Sequence, residues 1–239
     1  MKNALLCLLI GCAAQWSHAQ IGFSGSYTKI AAPDWETLFN GSDRYAFGPD
    51  FQFKPSYQLG VDYWFRLKTY RVEFFPTLSY AQFKQTQAVV NAADLEGQFK
   101  LSAFGLAWHT NIYPFDFEGD CHCPTWSKQN PFFKKGFFFQ VSPGVMYSQN
   151  SVVEATGEPN TYEHTHVAFN LGLGVGLDIG LSDFLTITPY ARFKRHFGVR
   201  WEGLNERLPG GTAAADAGLN ESVVNQLEAG LRLGIRWTE

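Results

Sequence analysis

The chain has 239 residues and a formal net charge of −3, with 17% charged and 16% aromatic residues. This weak negative charge excludes a protein that binds polyanions over its whole surface. Two of its four cysteines, at positions 7 and 12, lie close to the N-terminus. The rest of the chain has only two cysteines, which is too few for a disulfide-rich scaffold.

The N-terminal segment predicts a secretory signal peptide. It starts with Lys2, continues with the apolar run Ala4–Ile10 and ends with Ala19, a small residue that suits cleavage before Gln20. Residues 1–19 would then be removed, and residues 20–239 would form a single domain. An alternative is a lipoprotein box, in which "LIGC" ends at a lipidated Cys12. No later segment has the ~18 uncharged apolar residues that a membrane helix needs.

Hydrophobic alternation predicts eight strands in the rest of the chain. In chain order they cover 21–29, 56–67, 70–80, 98–112, 137–148, 167–180, 184–197 and 227–237. An even number of such strands, in an exported chain without membrane helices, predicts an all-β fold. We therefore expect an eight-stranded antiparallel up-and-down β-barrel in the outer membrane, with both termini periplasmic.

The last strand shows the alternation most clearly. One face carries Leu227, Ala229, Leu231, Leu233, Ile235 and Trp237, and the other carries Glu228, Gly230, Arg232, Gly234 and Arg236. Eleven residues suit a tilted membrane strand of about 9–11 residues. A soluble sheet would bury the charged face or expose the apolar one, whereas a barrel in a membrane satisfies both faces.

Four motifs in these strands resemble a known family. They are "AQIGFSGSY" at the predicted mature start, "FFPTLSYAQF" at 74–83, "VSPGVMYSQ" at 141–149 and the closing "LGIRW". Together they resemble the outer-membrane β-barrel family common in Bacteroidota, the PorT-like group within the OmpA/OmpX-like eight-stranded architecture. The resemblance implies a fold and an outer-membrane location. It implies no single activity and no functional residues, and the stretch "DCHCPTW" lies outside its pattern.

Aromatic residues and prolines occupy particular places in the predicted strands. Aromatic side chains at strand ends predict interfacial girdles. These are Tyr57, Tyr70, Tyr80, Tyr113, Tyr147, Phe184, Phe197 and Trp237. Three strands contain a central proline, at Pro76, Pro143 and Pro189, and we expect a β-bulge at each because proline lacks the ladder donor.

The connections predict one unusual loop. The turns near residue 68 and at 181–183 are short, whereas 113–135 is long and too rich in aromatic residues for a solvated linker. The other connections, 31–54, 83–97, 149–165 and 198–225, would lie outside the cell. We expect the long loop to be periplasmic and to bind a periplasmic or outer-membrane protein partner. Its candidate contact residues are Phe115, Phe117, Trp126, Phe132 and Phe133.

Within this loop, Cys121, His122 and Cys123 allow three interpretations. A disulfide between residues i and i+2 is strained, so a bonded pair would be a rigid or redox-labile element. A zinc site would need about four ligands, and no second ligand pair follows at zinc-motif spacing. The cysteines could also pair with another molecule. We favour a rigid structural loop and predict no cofactor.

Charged residues on the polar strand faces predict the nature of the lumen. The main set is Arg71, Glu73, Asp178, Glu228, Arg232 and Arg236, and Asp62, Arg66, Lys100, Arg192 and Lys194 are expected on the same face. An eight-stranded barrel is narrow enough for side chains to fill, so we expect these charges to pair and to plug it. Arg195 is expected on the lipid side, where it would contact headgroup phosphates or extend its side chain towards the headgroups.

A catalytic function has less support in the sequence. His164 and His166 would lie at the outer rim, and a lipid-modifying enzyme would need a serine such as Ser222 beside a histidine such as His196. Nothing in the sequence brings such a pair together, and no catalytic residue is predicted. We therefore expect a non-enzymatic barrel that docks a partner of an envelope-assembly or secretion-type complex. The alternatives are a narrow channel and an outer-leaflet lipid-modifying enzyme.

Overall fold

The computed structural model describes residues 20–40, 51–67, 70–88, 96–115, 136–154, 160–182, 184–202, 204 and 220–236. The predicted leader and Cys12 lie outside these ranges. The described strands are β1 (Gln20–Ala31), β2 (Ser56–Arg66), β3 (Val72–Ala88), β4 (Glu96–Ile112), β5 (Phe137–Glu154), β6 (Asn160–Leu177, continuing at Ile179–Gly180), β7 (Leu185–Arg200) and β8 (Glu221–Arg236). One helix among the described residues, α1 (Pro33–Asn40), follows β1.

The strands close into an antiparallel barrel. Each strand pairs with its neighbours in the chain, and β8 pairs with β1 from Gln20↔Arg236 to Ala31↔Asn225. This confirms the predicted eight-stranded barrel. We call the end where β1 begins and β8 ends the proximal end, and the opposite end, which holds α1, the distal end.

The outer surface of the barrel carries an apolar band. On β6, the outward side chains from Val167 to Val175 are 40–61% exposed, and the next outward residues, Thr165 and Glu163, are polar. The band therefore covers about the 9–11 residues that a tilted strand needs to cross a bilayer. Such a continuous apolar surface requires lipid around it, and the inward residues are polar. The fold is that of an outer-membrane β-barrel. No helix in the described ranges is long and apolar enough to cross a membrane.

Several strands extend further at the distal end than the sequence predicted. β3 has 17 residues, and β5 and β6 have 18 each. The connections expected at 83–97, 149–165 and 198–225 are shorter for the same reason. Beyond the apolar band the outward residues become polar, as at Lys84 and Glu163, so the hydrophobic alternation stops while the backbone ladder continues.

The expectation that the three prolines mark bulges is wrong. Each proline lies in a short gap in the pairing of its strand with the preceding strand. Beyond the gap, the same two strands pair again in the same register. The gaps lie between Asp62↔Thr77 and Phe65↔Phe74, between Ala107↔Gly144 and Thr110↔Val141, and between Gly176↔Tyr190 and Ile179↔Ile187. Because proline has no backbone N–H, it interrupts the ladder of hydrogen bonds. No extra residue is inserted into the strand, as a bulge would require. A register shift occurs elsewhere, between His196 and Val199, where Gly198 has a φ of 62°.

Helix α1 closes the distal mouth of the barrel. Pro33 suits the first helical position, and the Glu36 carboxylate accepts a hydrogen bond from the Ala32 N–H at 3.0 Å, which caps the start of the helix. The helix directs Trp35 and Phe39 into the mouth, and both are fully buried. The sequence prediction placed only a connection here and missed the helix.

The buried aromatic side chains at this mouth form a cluster that we call the aromatic cap. Its members are Trp35, Phe39, Phe51, Phe99 and Trp201. The Phe39 ring centroid lies 4.1 Å from that of Phe51 and 4.7 Å from that of Phe99, and the Trp35 and Trp201 centroids lie 5.4 Å apart. The interior is therefore apolar at the distal end and polar along the rest of the lumen.

Candidate functional site

The lumen holds a balanced set of buried charges. Among the described residues, the cations are Arg71, Arg192, Lys194 and Arg232, and the carboxylates are Asp62, Glu73, Asp178 and Glu228. Six of these side chains come from strand positions, where alternation turns them inward, whereas Arg71 precedes β3 and Asp178 lies in the break of β6. The equal numbers allow the charges to compensate one another where solvent is scarce.

The proximal layer of this network is built around Glu73. Its carboxylate accepts hydrogen bonds from Trp64 Nε1 at 2.7 Å and from the Tyr113 hydroxyl at 2.9 Å. Arg71 Nε lies 4.0 Å from the same carboxylate, and its guanidinium lies 4.2 Å from the Tyr113 ring centroid. The prediction that Tyr113 belongs to an interfacial girdle is therefore wrong. Its odd-numbered position continues the inward face of β4, and the side chain is fully buried.

Asp178 connects both stems of the long loop to the lumen. Its carboxylate contacts the Tyr113 hydroxyl on the first stem and also accepts a hydrogen bond from Thr188. Its backbone N–H donates to the Gly136 carbonyl on the second stem at 2.9 Å. Gly136 lies so close to Asp178 that a Cβ there would overlap its carbonyl oxygen. One residue thus fixes both ends of the segment 116–135.

In the middle of the lumen, Arg232 and Asp62 form a bidentate ion pair. Arg232 Nη2 lies 2.6 Å from Asp62 Oδ1, and Nε lies 2.8 Å from Oδ2. Gly22 on β1 separates the two strands, and a Cβ at this position would overlap both charged groups. The guanidinium also lies 4.6 Å from the Phe75 ring centroid, so this pair fills the cross-section beside an aromatic ring.

A third layer, towards the distal end, is centred on Glu228. Its carboxylate lies 2.8 Å from Lys194 Nζ and 3.1 Å from Arg192 Nη1, and it accepts a hydrogen bond from Gln226 at 2.6 Å. Gln226 also lies 2.7 Å from His196 Nε2. A fully buried carboxylate with two cations is a paired arrangement that holds three side chains in place.

A small cavity lies between these layers. Its volume is about 30 Å³, and the side chains around it include Asp62, His109, Asp178 and Arg232. This is room for roughly one water molecule. His109, 4% exposed, is itself held by Ser142 Oγ at 2.7 Å from Nδ1. The charged side chains described here are thus paired in three layers across the lumen.

Three of the remaining predicted site residues lie in the described ranges, and the structure places them apart from one another. Arg195 faces outward, and its guanidinium lies 5.9 Å from the Phe197 ring centroid. The prediction that Lys100 faces the lumen is wrong, because its neighbours Phe99 and Leu101 fill the inward positions of β4. Arg66, also expected in the lumen, is exposed at the end of β2. Phe115 is 65% exposed and lies 5.9 Å from Phe137, centroid to centroid. Arg236 pairs through its backbone with Gln20. Outside the described residues lie Phe117, Cys121, His122, Cys123, Trp126, Phe132 and Phe133.

The histidines considered for catalysis have separate surroundings. His164 Nε2 lies 3.7 Å from Glu202 at the distal rim. His196 contacts Gln226, whereas Ser222 Oγ donates to the carbonyl of its neighbour Val223. In the part of the chain that the structure describes, no group of three or more His, Cys, Asp or Glu side chains is placed to hold a metal ion.

Sequence reasoning missed some members of the lumen network and all of the aromatic cap. His109 and Tyr113 share the odd-numbered inward face of β4, so the alternation of that strand already contained the signal for both. The cap was hidden because Trp35 and Phe39 lie in a connection, but their spacing of four residues is that of one helix face.

Comparison with known proteins finds similar barrels among solved structures. Neisserial surface protein A is 10% identical, with a TM-score of 0.42 and coverage of 92% of this chain and 97% of that one. Ail of Yersinia pestis is 11% identical, with a TM-score of 0.41 and coverage of 92% and 98%. The outer membrane protease OmpT from Escherichia coli is 7% identical, with a TM-score of 0.38 and coverage of 92% and 96%. Likeness at this level gives no inference about activity or partners.

No protein-family model matches the sequence, and the search of curated proteins gives no match.

Proposed function

We propose that this chain is a non-enzymatic outer-membrane barrel that docks a protein partner through the loop 113–135. The observation that carries the proposal is the attachment of both loop stems to Asp178, through the Tyr113 hydroxyl and the Gly136 carbonyl. A long segment with fixed ends is presented on a rigid support, which lowers the entropy cost of binding. The filled lumen makes the barrel a stable anchor for this segment.

The chemistry of the loop supports a protein as its ligand. Phe115 is exposed at the start of the segment, and Phe117, Trp126, Phe132 and Phe133 follow in sequence. Aromatic side chains contribute a large share of interface energy, and an apolar loop is unfavourable in water. With both termini periplasmic, as in bacterial barrels with an even strand number, the partner would be a periplasmic or outer-membrane protein.

The sequence motifs suggest the setting of this interaction. Their resemblance to PorT-like barrels of Bacteroidota supports membership of that group and a partner within an envelope-assembly or secretion-type complex. The channel alternative is supported only by a charged lumen, and the paired charges favour a plug instead. The lipid-enzyme alternative is supported only by rim histidines, and His196 and Ser222 have different contacts.

Photo-cross-linking from position 126 tests the docking proposal. A cross-linker at Trp126, followed by mass spectrometry, should capture a defined partner in the native envelope. Trp126→Ala should abolish the complex while the barrel stays inserted and heat-modifiable on gels. Trp108→Ala is the matched control, because Trp108 is 45% exposed on the lipid face and should leave the complex intact. Retention of every partner by Trp126→Ala would show that the loop only covers the proximal mouth.

The cysteine pair has its own test. Replacing Cys121 and Cys123 with serine should weaken the partner complex less than Trp126→Ala, because it loosens the loop without removing the apolar contact. Elemental analysis separates the metal alternative. About one zinc per chain, lost in the double-serine variant, would replace the rigid-loop interpretation with a metal site.

A further inference from the structure

Two lysines lie directly opposite each other on the outer surface of the barrel. Lys84 on β3 pairs in register with Lys100 on β4, and both occupy outward positions of their strands. Opposite residues in an antiparallel pair have Cβ atoms about 4.5–5.5 Å apart, and like charges at this spacing destabilise the sheet. Among the described residues, neither ammonium group has a carboxylate within the distance of an ion pair.

The pair lies just beyond the apolar band, at its distal edge. The last apolar outward residues of the two strands are Tyr80 and Phe104, whose ring centroids lie 4.7 Å apart. Each lysine lies four residues nearer the distal end than the aromatic residue on its strand. This separation is about 13 Å along the strand, or roughly 9 Å along the membrane normal at a tilt of ~45°. Lipid headgroups occupy this level, and lysine stems are long enough to bend towards them.

A polar row separates the lysines from the aromatic residues. Gln82 Nε2 donates to the Tyr80 hydroxyl at 3.1 Å and to Ser102 Oγ at 3.4 Å. This row marks the transition from hydrocarbon to headgroup on β3 and β4. A lipid whose acyl chains cover Tyr80 and Phe104 would therefore place its headgroup beside the two lysines.

Among the described side chains, no acid occupies the outward positions next to the pair in the ladder. In the ladder register, Ser151 on β5 lies opposite Lys100, and Glu163 on β6 lies one strand further. Glu163 instead accepts a hydrogen bond from Gln149 Nε2 at 3.3 Å. The other exposed cations at this end of the described chain are Lys29 on β1, Lys54 two residues before β2, and Arg195 and Arg200 on β7. Lys54 precedes the strand that pairs with β3, so it adds positive charge on the side of Lys84.

We infer that Lys84 and Lys100 form a binding site for the phosphate group of a membrane lipid. A phosphate between the two ammonium groups removes their repulsion and accepts hydrogen bonds from both. The aromatic surface of Tyr80, Phe104 and Tyr147 below the site carries the acyl chains, and the Phe104 and Tyr147 centroids lie 6.3 Å apart. This site is on the wall at the distal end and is independent of the docking loop.

Native mass spectrometry of the delipidated barrel with lipid A, a phosphorylated glycolipid, tests the site. We expect one retained lipid A per chain. Lys84→Gln with Lys100→Gln should weaken retention about 25-fold, because each lysine near an anionic lipid surface contributes a factor of about five. The control Lys29→Gln with Arg200→Gln removes the same charge from the same end and should bind like the wild type.

Two further probes identify the ligand. Dephosphorylated lipid A should bind the wild type as weakly as phosphorylated lipid A binds the Lys84→Gln, Lys100→Gln variant. Inorganic pyrophosphate should not displace lipid A at equal concentration, because it lacks the acyl chains. Equal retention of lipid A by the two double variants would overturn the site. Displacement by equimolar pyrophosphate would overturn its assignment to a lipid.

Discussion

The hydroxyl group of Tyr113 contacts the carboxylate of Asp178 inside the lumen, although the two residues are 65 positions apart in sequence. The same hydroxyl lies 2.9 Å from the Glu73 carboxylate. Tyr113 begins the docking loop 113–135, and Asp178 also holds the loop's other stem through Gly136. This contact therefore joins the charged network of the lumen to the segment that we propose as its functional surface.

Tyr113→Phe should loosen the first stem of the loop without unfolding the barrel. It removes a buried hydroxyl that contacts two carboxylates, which should lower the local stability by about 1–3 kcal/mol. Limited proteolysis in detergent should cut the segment 116–135 faster, while heat-modifiable migration of the barrel persists. Tyr147→Phe is the control, because Tyr147 is 43% exposed on the outer wall. Equal cleavage rates in both variants would argue against a fixed stem.

Arg232→Ala should destabilise the barrel strongly. It leaves the Asp62 carboxylate, 5% exposed, without its bidentate partner, and an uncompensated buried charge costs about 3–5 kcal/mol. Urea titration of the barrel in lipid vesicles, followed by its folded gel mobility, measures the loss.

The distal pair of Arg200 and Glu221 provides a comparison for Arg232. These side chains are 57% and 46% exposed and 2.8 Å apart, so Arg200→Ala should cost less than about 1 kcal/mol. If both alanine variants lose the same small stability, the lumen is hydrated and its charges are not the paired plug that we describe.

Leu231→Arg should block insertion of the barrel. Leu231 is 57% exposed in the apolar band, and arginine on the lipid face costs about 2–4 kcal/mol at the bilayer midplane. Folding yield into vesicles measures the effect. Thr165→Arg, an outward position beyond the band on β6, should cost about 0–1 kcal/mol. Normal folding of Leu231→Arg would place this face in water.

The strand pattern was predictable because two solvents act on its two faces. Along β8, lipid requires Leu231 and Leu233 outside, and the lumen admits Glu228 and Arg232, so a period of two is visible in sequence. Beyond the bilayer, water contacts the outer face as well. There the period fades, and the distal extensions of β3, β5 and β6 could not be seen.

Side-chain pairing in the lumen could not be predicted to the same degree. Alternation places Asp62 and Arg232 inside, but their contact joins residues 170 positions apart and depends on the register of β1 with both neighbours. Tyr113 was misassigned because an aromatic residue at a strand end suits either a girdle or the lumen. Only its odd-numbered position, shared with inward His109, distinguishes the two.

Phe39→Ala should weaken the closure of the distal mouth. Phe39 is fully buried against Phe51 and Phe99, and loss of such a ring typically costs about 3–5 kcal/mol. The urea midpoint should fall accordingly. Thr37→Ala lies on the exposed side of the same helix and should have little effect. Equal midpoints for the two variants would mean that α1 does not pack into the mouth.

The central claim is that the barrel is a plugged anchor, and conductance of the purified wild-type protein in planar lipid bilayers tests it most directly. The charges paired around Glu228, Arg232 and Glu73, with a small cavity of about 30 Å³ between them, predict an electrically silent membrane at moderate voltage. Steady, ion-selective current steps from the wild-type barrel would contradict the account and establish a channel in its place.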